Sequence, residues 1–167
     1  MTIFRGGPTV TESRPARARM RWHLVAMWAA WLATRAALYL FATVRLFHGK
    51  FGYSGDVALY HSWYETFIVR GALPTGSTWQ YPPGAAVIFW LAGRLGGDYL
   101  RDFALFAIGA DLIVLLTLAG RARYGGSMAG AWYWVWCVPL VGTVLVTRFD
   151  VFSVALAVAA LCGNLPR

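Results

Sequence analysis

The chain has 167 residues, 59% of them apolar, and carries a formal net charge of +8. A soluble domain is nearer half apolar, and here the excess comes in runs rather than in alternation, so lipid is the expected solvent. The two cysteines, Cys137 and Cys162, lie in apolar segments, and no CxxC, HExxH or GxxxxGK[ST] pattern occurs. The sequence therefore offers no metal cage, no phosphate loop and no cofactor site.

Residues 1–21, with Gly6, Gly7, Pro8 and Pro15, read as a disordered tail. Arg5, Arg14, Arg17, Arg19 and Arg21 make it basic, and a basic terminus abutting an apolar run stays in the cytoplasm. The tail lacks interleaved aromatics, which argues against nucleic acid as its partner. The run that follows is long, carries Arg35 in its middle and ends on no A-x-A site, so it reads as an uncleaved anchor rather than a signal peptide.

Spans are expected at about 22–47, 82–97, 102–120, 127–147 and 149–162, with turn signals at Gly96-Gly97-Asp98 and around Arg121–Gly126. The expected fold is thus an all-α integral membrane domain over residues 22–167. It has about five transmembrane helices and an amphipathic interfacial helix in its first outer loop, and its partner is the lipid bilayer of the cell membrane. Counting sides from a cytoplasmic tail puts loop 48–81 outside. The same count puts Arg94, Arg101 and Arg148 inside, and Lys50, Arg70, Arg121, Arg123 and Arg167 outside.

The outer loop is the most informative stretch. Ser54-Gly55-Asp56 precedes a helical pattern over Val57–Arg70, which Gly71 and Pro74 end. Val57, Tyr60, Tyr64, Phe67 and Ile68 share one face, expected to lie on the membrane surface with its aromatics among the headgroups. Asp56 has two readings, a helix cap and a general base at the water–lipid boundary, and one ionised carboxylate serves both. His61 and Glu65, at i and i+4, read as a surface pair ahead of a catalytic one. Trp79-Gln80-Tyr81-Pro82-Pro83 opens the second span, with Trp79 and Tyr81 as interfacial anchors.

The order Gly55-Asp56, Tyr60, Trp63, Tyr64, Gly71, Pro74 and Tyr81-Pro82-Pro83 resembles the first outer loop of glycosyltransferase family 87. These are C-fold mannosyltransferases of actinobacteria that use a polyprenyl-phosphate sugar. Pro139 and Arg148-Phe149-Asp150-Val151 also resemble the family's region at the start of its fifth span, so the likeness covers roughly residues 22–162. It implies an inverting transfer of a sugar, mannose by analogy, from the polyprenyl-phosphate donor to a glycan or glycolipid acceptor on the outer face. Asp56 would be the catalytic base, with Tyr60, His61, Trp79, Tyr81, Arg35, Arg148 and Asp150 as substrate-binding candidates. Family members run to about a dozen spans, so the resemblance makes this chain the amino-terminal part of a larger fold, completed by a carboxy-terminal half or a partner chain.

Charges within the apolar runs form a second constellation. A charge at the centre of a span costs roughly 2.5–3.5 kcal/mol, so Arg35 and Asp111 are expected to face inward and pair. Binding of a lipid phosphate by Arg35 is the competing reading. Arg148, counted as inside, would sit on the wrong face for the reaction unless the fourth span is re-entrant. Gly126 and Gly130 spell G-x-x-x-G, a packing pattern too short to tell from chance. Two further readings stand beside the transferase: a non-catalytic multi-pass subunit or truncated relative, and a small transporter. A transporter wants broken helices and a polar midplane site in two matching halves, and no repeat is present.

Overall fold

A computed structural model describes residues 14–44, 55–75, 77, 79–123 and 127–164. Among them the chain is helical throughout, with no strand. The helices are α1 (Arg14–Thr43), α2 (Gly55–Thr66), α3 (Ala85–Arg94), α4 (Tyr99–Arg123), α5 (Ala129–Cys137), α6 (Val144–Thr147) and α7 (Asp150–Asn164). Single 3-10 turns at Ile68–Arg70 and Val138–Val141 follow α2 and α5. The tail expected to be disordered is helical from Arg14 onward, as the first part of α1.

Two stretches are long and apolar enough to cross a membrane, Arg21–Thr43 with 23 residues and Tyr99–Ala122 with 24. The expectation of five spans is not met. The apolar helices of the segments 82–97, 127–147 and 149–162 are shorter. The ten residues of α3 reach about 15 Å, half of a hydrocarbon core of about 30 Å.

Helices α1 and α4 run antiparallel. Met27 and Trp31 of α1 share a buried cluster with Leu115 of α4, and Leu38 and Ala42 share another with Ala104 and Ala107. Between these clusters lies a buried polar knot. Arg35 donates from Nε to Asp111 Oδ2 at 2.9 Å and from Nη2 to Asp111 Oδ1 at 2.9 Å. Its other guanidinium contacts are Thr34 Oγ1 and the carbonyls of Val135 and Trp134. The indoles of Trp31 and Trp134 donate to the two Asp111 oxygens at 2.6 and 2.8 Å. Each polar atom of the pair has its partners, and both residues are buried.

α7 runs alongside α4, starting at the same end, with Phe103 against Phe152 at 5.9 Å and Ala155 in the cluster of Ala107 and Ala110. The segment between α5 and α6 is broken at Pro139 and Gly142. Pro139 has no N–H to continue the ladder, and Gly142 sits at φ 65° and ψ −148°, a conformation in effect reserved for glycine.

α2 and α3 lie side by side across the end of the bundle where α4 and α7 begin. The start of α3 meets α7, with Tyr81 against Phe149 at 5.3 Å. Its far end meets the end of α2, where the Tyr64 hydroxyl donates to the Gly93 carbonyl at 3.2 Å. Tyr99, the first residue of α4, donates its hydroxyl to the Phe89 carbonyl at 3.2 Å. α3 is thereby tied to the end of α2 and to the start of α4. Asp98, read as the end of a span, caps α4 by accepting from the Arg101 N–H at 3.1 Å.

The expected stripe of Val57, Tyr60, Tyr64, Phe67 and Ile68 does gather in one cluster, joined by Trp63, but that cluster packs against α3 and α4 rather than among headgroups. An i, i+3, i+6 set packs against a neighbouring helix as readily as the expected stripe packs into lipid, and ten flanking aromatics made protein the better partner.

Candidate functional site

The bundle end covered by α2 and α3 carries the residues that chemistry could use. Asp56 lies in the first turn of α2, and Arg148 lies in the extended link between α6 and α7. Arg148 Nε is 2.9 Å from Asp56 Oδ2 and 3.7 Å from Asp150 Oδ2. All three side chains are open to the surroundings, Arg148 and Asp56 at 46% and 43% exposure. The side count had put Arg148 and Asp56 on opposite faces, whereas the structure brings the two side chains together.

Beneath the ion pair, Tyr60 and Tyr81 share a hydrogen bond between hydroxyls, 2.7 Å apart. Tyr60 stacks on Phe89 at 4.4 Å, and Trp63 meets Trp79 edge-on at 5.1 Å. Burial is the main reason the Tyr60 phenol is held well above the ordinary tyrosine range, with the Tyr81 hydroxyl adding to it. Tyr60 thus remains a neutral donor and acceptor. The Arg148 guanidinium is pushed up chiefly by the Asp56 carboxylate and next by that of Asp150, so it is a permanent cation.

Next to this cluster an apolar cleft of about 520 Å³ opens between α3, α4 and α7, lined by residues that include Pro82, Ile88, Ile113, Phe149 and Leu156. Phe149, which lines the cleft, is the chain neighbour of Arg148. A cleft of this size is within the range of about 300–1,000 Å³ typical of ligand sites.

Of the residues singled out from the sequence, Asp56, Tyr60, Trp79, Tyr81, Arg148 and Asp150 are brought to this one end. His61 is at the same end but contacts other residues, stacked on Tyr99 at 4.6 Å and 3.4 Å from Glu65. Arg35 is remote, and its five N–H donors are all taken within the protein, which leaves none for a lipid phosphate. Sequence reasoning missed Phe89, Phe103 and Phe149 as walls of the aromatic cluster, because each sits in a run where apolar residues are unremarkable. It also missed Trp31 and Trp134 as partners of Asp111. No group of three or more potential metal ligands occurs among the described residues. Comparison with family models, curated proteins and solved structures found no match to this chain.

Proposed function

We propose that this chain is a multi-pass membrane protein and the amino-terminal part of a glycosyltransferase that takes a sugar, mannose by analogy, from a polyprenyl phosphate. The observation that supports this most is the exposed Asp56–Arg148 pair at 2.9 Å beside an apolar cleft. Such a site joins a proton acceptor, a cation for a leaving phosphate and a place for hydrocarbon. The loop resemblance supplies the reaction type.

With the tail in the cytoplasm, α1 crosses outward and α4 returns. The broken α5–α6 segment crosses outward again, and α7 turns back. Four passes then replace five, and Asp56 and Arg148 share the outer face. Arg5, Arg14, Arg17, Arg19, Arg21, Arg121 and Arg123 share the cytoplasmic face, in keeping with the positive-inside bias.

In the reaction the acceptor hydroxyl oxygen forms a bond to the anomeric carbon, and the bond from that carbon to the phosphate oxygen breaks. The electron pair of the broken bond stays on the phosphate, and the hydroxyl proton passes to Asp56. The transporter reading gains the helix break at Pro139–Gly142. It lacks an open polar site, since the Arg35–Asp111 knot is closed and saturated.

The test is sugar transfer from polyprenyl-phosphate mannose in membranes holding the chain, alone and with the carboxy-terminal part that the resemblance implies. Asp56→Asn should lower transfer about 10²–10⁴-fold at equal protein level. Transfer by the variant within a few-fold of the parent would reduce Asp56 to a structural carboxylate. No transfer by the parent in either form would favour the non-catalytic subunit.

A further inference from the structure

α3 has two faces. Ala85, Phe89 and Ala92, at i, i+4 and i+7, are buried in the cluster shared with α2 and α4. Val87, Trp90 and Arg94, at i, i+3 and i+7, form the opposite stripe and are exposed, Val87 at 57% and Trp90 at 41%. Beside this stripe an apolar groove of about 410 Å³ lies between α3 and the chain that follows α2, lined by residues that include Ile68, Leu73, Ala86, Val87 and Trp90. None of its lining residues is acidic. The Arg94 guanidinium lies over the Trp90 ring, 5.5 Å from its centroid, and Arg70, also exposed, belongs to the same segment as Ile68 and Leu73.

We infer that the groove between α3 and residues 68–73 seats an acyl chain of an anionic glycerophospholipid of the surrounding membrane, with Arg94 and Arg70 toward its headgroup phosphate. This rests on the membrane reading of the chain and not on the transferase reading. α2 sets its Asp56 end and its Thr66 end about 15 Å apart, and Ile68 follows the Thr66 end. A tryptophan with a guanidinium over it is suited to the boundary between acyl chains and headgroups. The ring lies among the chains and the cation reaches the polar layer. The ring also holds the guanidinium in place, and its planar fork matches phosphate oxygens in pairs. A zwitterionic lipid would bring the same chain and phosphate, but its own ammonium would offset the attraction. Net negative charge is therefore what the two arginines select, and the apolar lining selects a lipid over a free anion.

Quenching by brominated lipids tests this without any need for transfer. The full chain is placed in nanodiscs of phosphatidylcholine and phosphatidylglycerol in equal parts, with brominated acyl chains on one lipid or on the other. Tryptophan fluorescence is read, and the share of Trp90 is the difference from Trp90→Phe. At Trp90 the parent should favour brominated phosphatidylglycerol on the order of tenfold. Arg94→Gln should lower that preference about fivefold, roughly the pull of one cation on an anionic membrane surface, and Arg70→Gln should lower it in the same direction. Arg101→Gln, which removes an exposed charge from the start of α4, should leave it within about twofold.

No preference in the parent, or an unchanged preference in Arg94→Gln, would remove the site. Arg101→Gln as costly as Arg94→Gln would replace it with a diffuse surface field. Excess quenching that persists in Trp90→Phe would place the lipid elsewhere on the protein. Reversal by millimolar phosphate, but not by chloride at equal ionic strength, would make the arginines a site for a free anion. A chain that stays out of the discs would overturn the membrane reading and this site with it, whereas an inserted chain without preference would overturn the site alone.

Discussion

Arg35 and Asp111 show how a charged residue is kept within an apolar bundle. The pair alone would leave three guanidinium N–H groups and two carboxylate lone pairs without partners. Thr34, the Val135 and Trp134 carbonyls, and the two indoles supply them. Removing either charge strands the other and should destabilise by about 3–5 kcal/mol. Arg35→Leu and Asp111→Leu should each lower the thermal midpoint of the detergent-solubilised protein, and the double variant should recover part of the loss. Recovery stays partial because two indole N–H groups remain unpaired. A double variant as poor as the two singles summed would show that the residues act independently. At Tyr60 the expected effect depends on pH. The buried phenol stays protonated in the folded chain above about pH 10, where an unfolded tyrosine ionises. Its contribution to stability is complete below that pH and is lost as the pH rises further. Tyr60→Phe should cost about 0.5–1.5 kcal/mol at neutral pH through the lost bond to Tyr81, yet unfold less steeply between pH 10 and 12. Equal alkaline slopes would mean that Tyr60 is not the group responsible.

Among the elements, α3 is the one the sequence misrepresents. Its apolar run, opened by Pro82-Pro83 and closed by Gly96-Gly97, has the punctuation of a membrane span. What distinguishes it is a long-range contact with no local signature: the ring of Tyr64 lies on Gly93 so closely that a Cβ there would run into it. Gly93→Val should separate α2 from α3, lower the thermal midpoint and expose Trp63 and Trp79 to an aqueous fluorescence quencher. Tyr64→Ala in the same chain should relieve the clash and restore quencher protection. If the single variant is as protected as the parent, the two helices do not pack as described. α1 and α4, by contrast, are legible from length and hydropathy alone, and the Arg35–Asp111 pair from the cost of burying either charge.

For the molecule as a whole, the shortness of α3 bears on how the site is assembled. The residues of the candidate site, apart from His61 and Arg35, could be named from the sequence because aromatic and charged types in one loop are informative in themselves. Their contact with Arg148 was lost because periodicity carries no record of which distant segments come together. The antiparallel course of α1 and α4 leads to a topology prediction. In a Cys137→Ser, Cys162→Ser background, cysteines placed at Ser62 and Arg101 should react with an impermeant thiol reagent in intact cells, and one at Ser127 should not. Labelling at Ser127 with protection at Arg101 would reinstate a crossing by α3.

The polar knot also has a consequence in time. Its members come from α1, α4 and α5, and the Val135 carbonyl that Arg35 meets lies 100 residues further along the chain. At synthesis rates of about 5–20 residues per second, Arg35 waits roughly 5–20 s for its last partner. Through most of that interval the Arg35 guanidinium has Thr34 Oγ1 of its own helix but neither the Asp111 carboxylate nor the carbonyls of α5. The knot therefore closes only once α4 and α5 have been made. Closure of the bundle is thus tied to the order of translation, and slowing elongation between α1 and α4 would lengthen the stage at which Arg35 lacks its carboxylate.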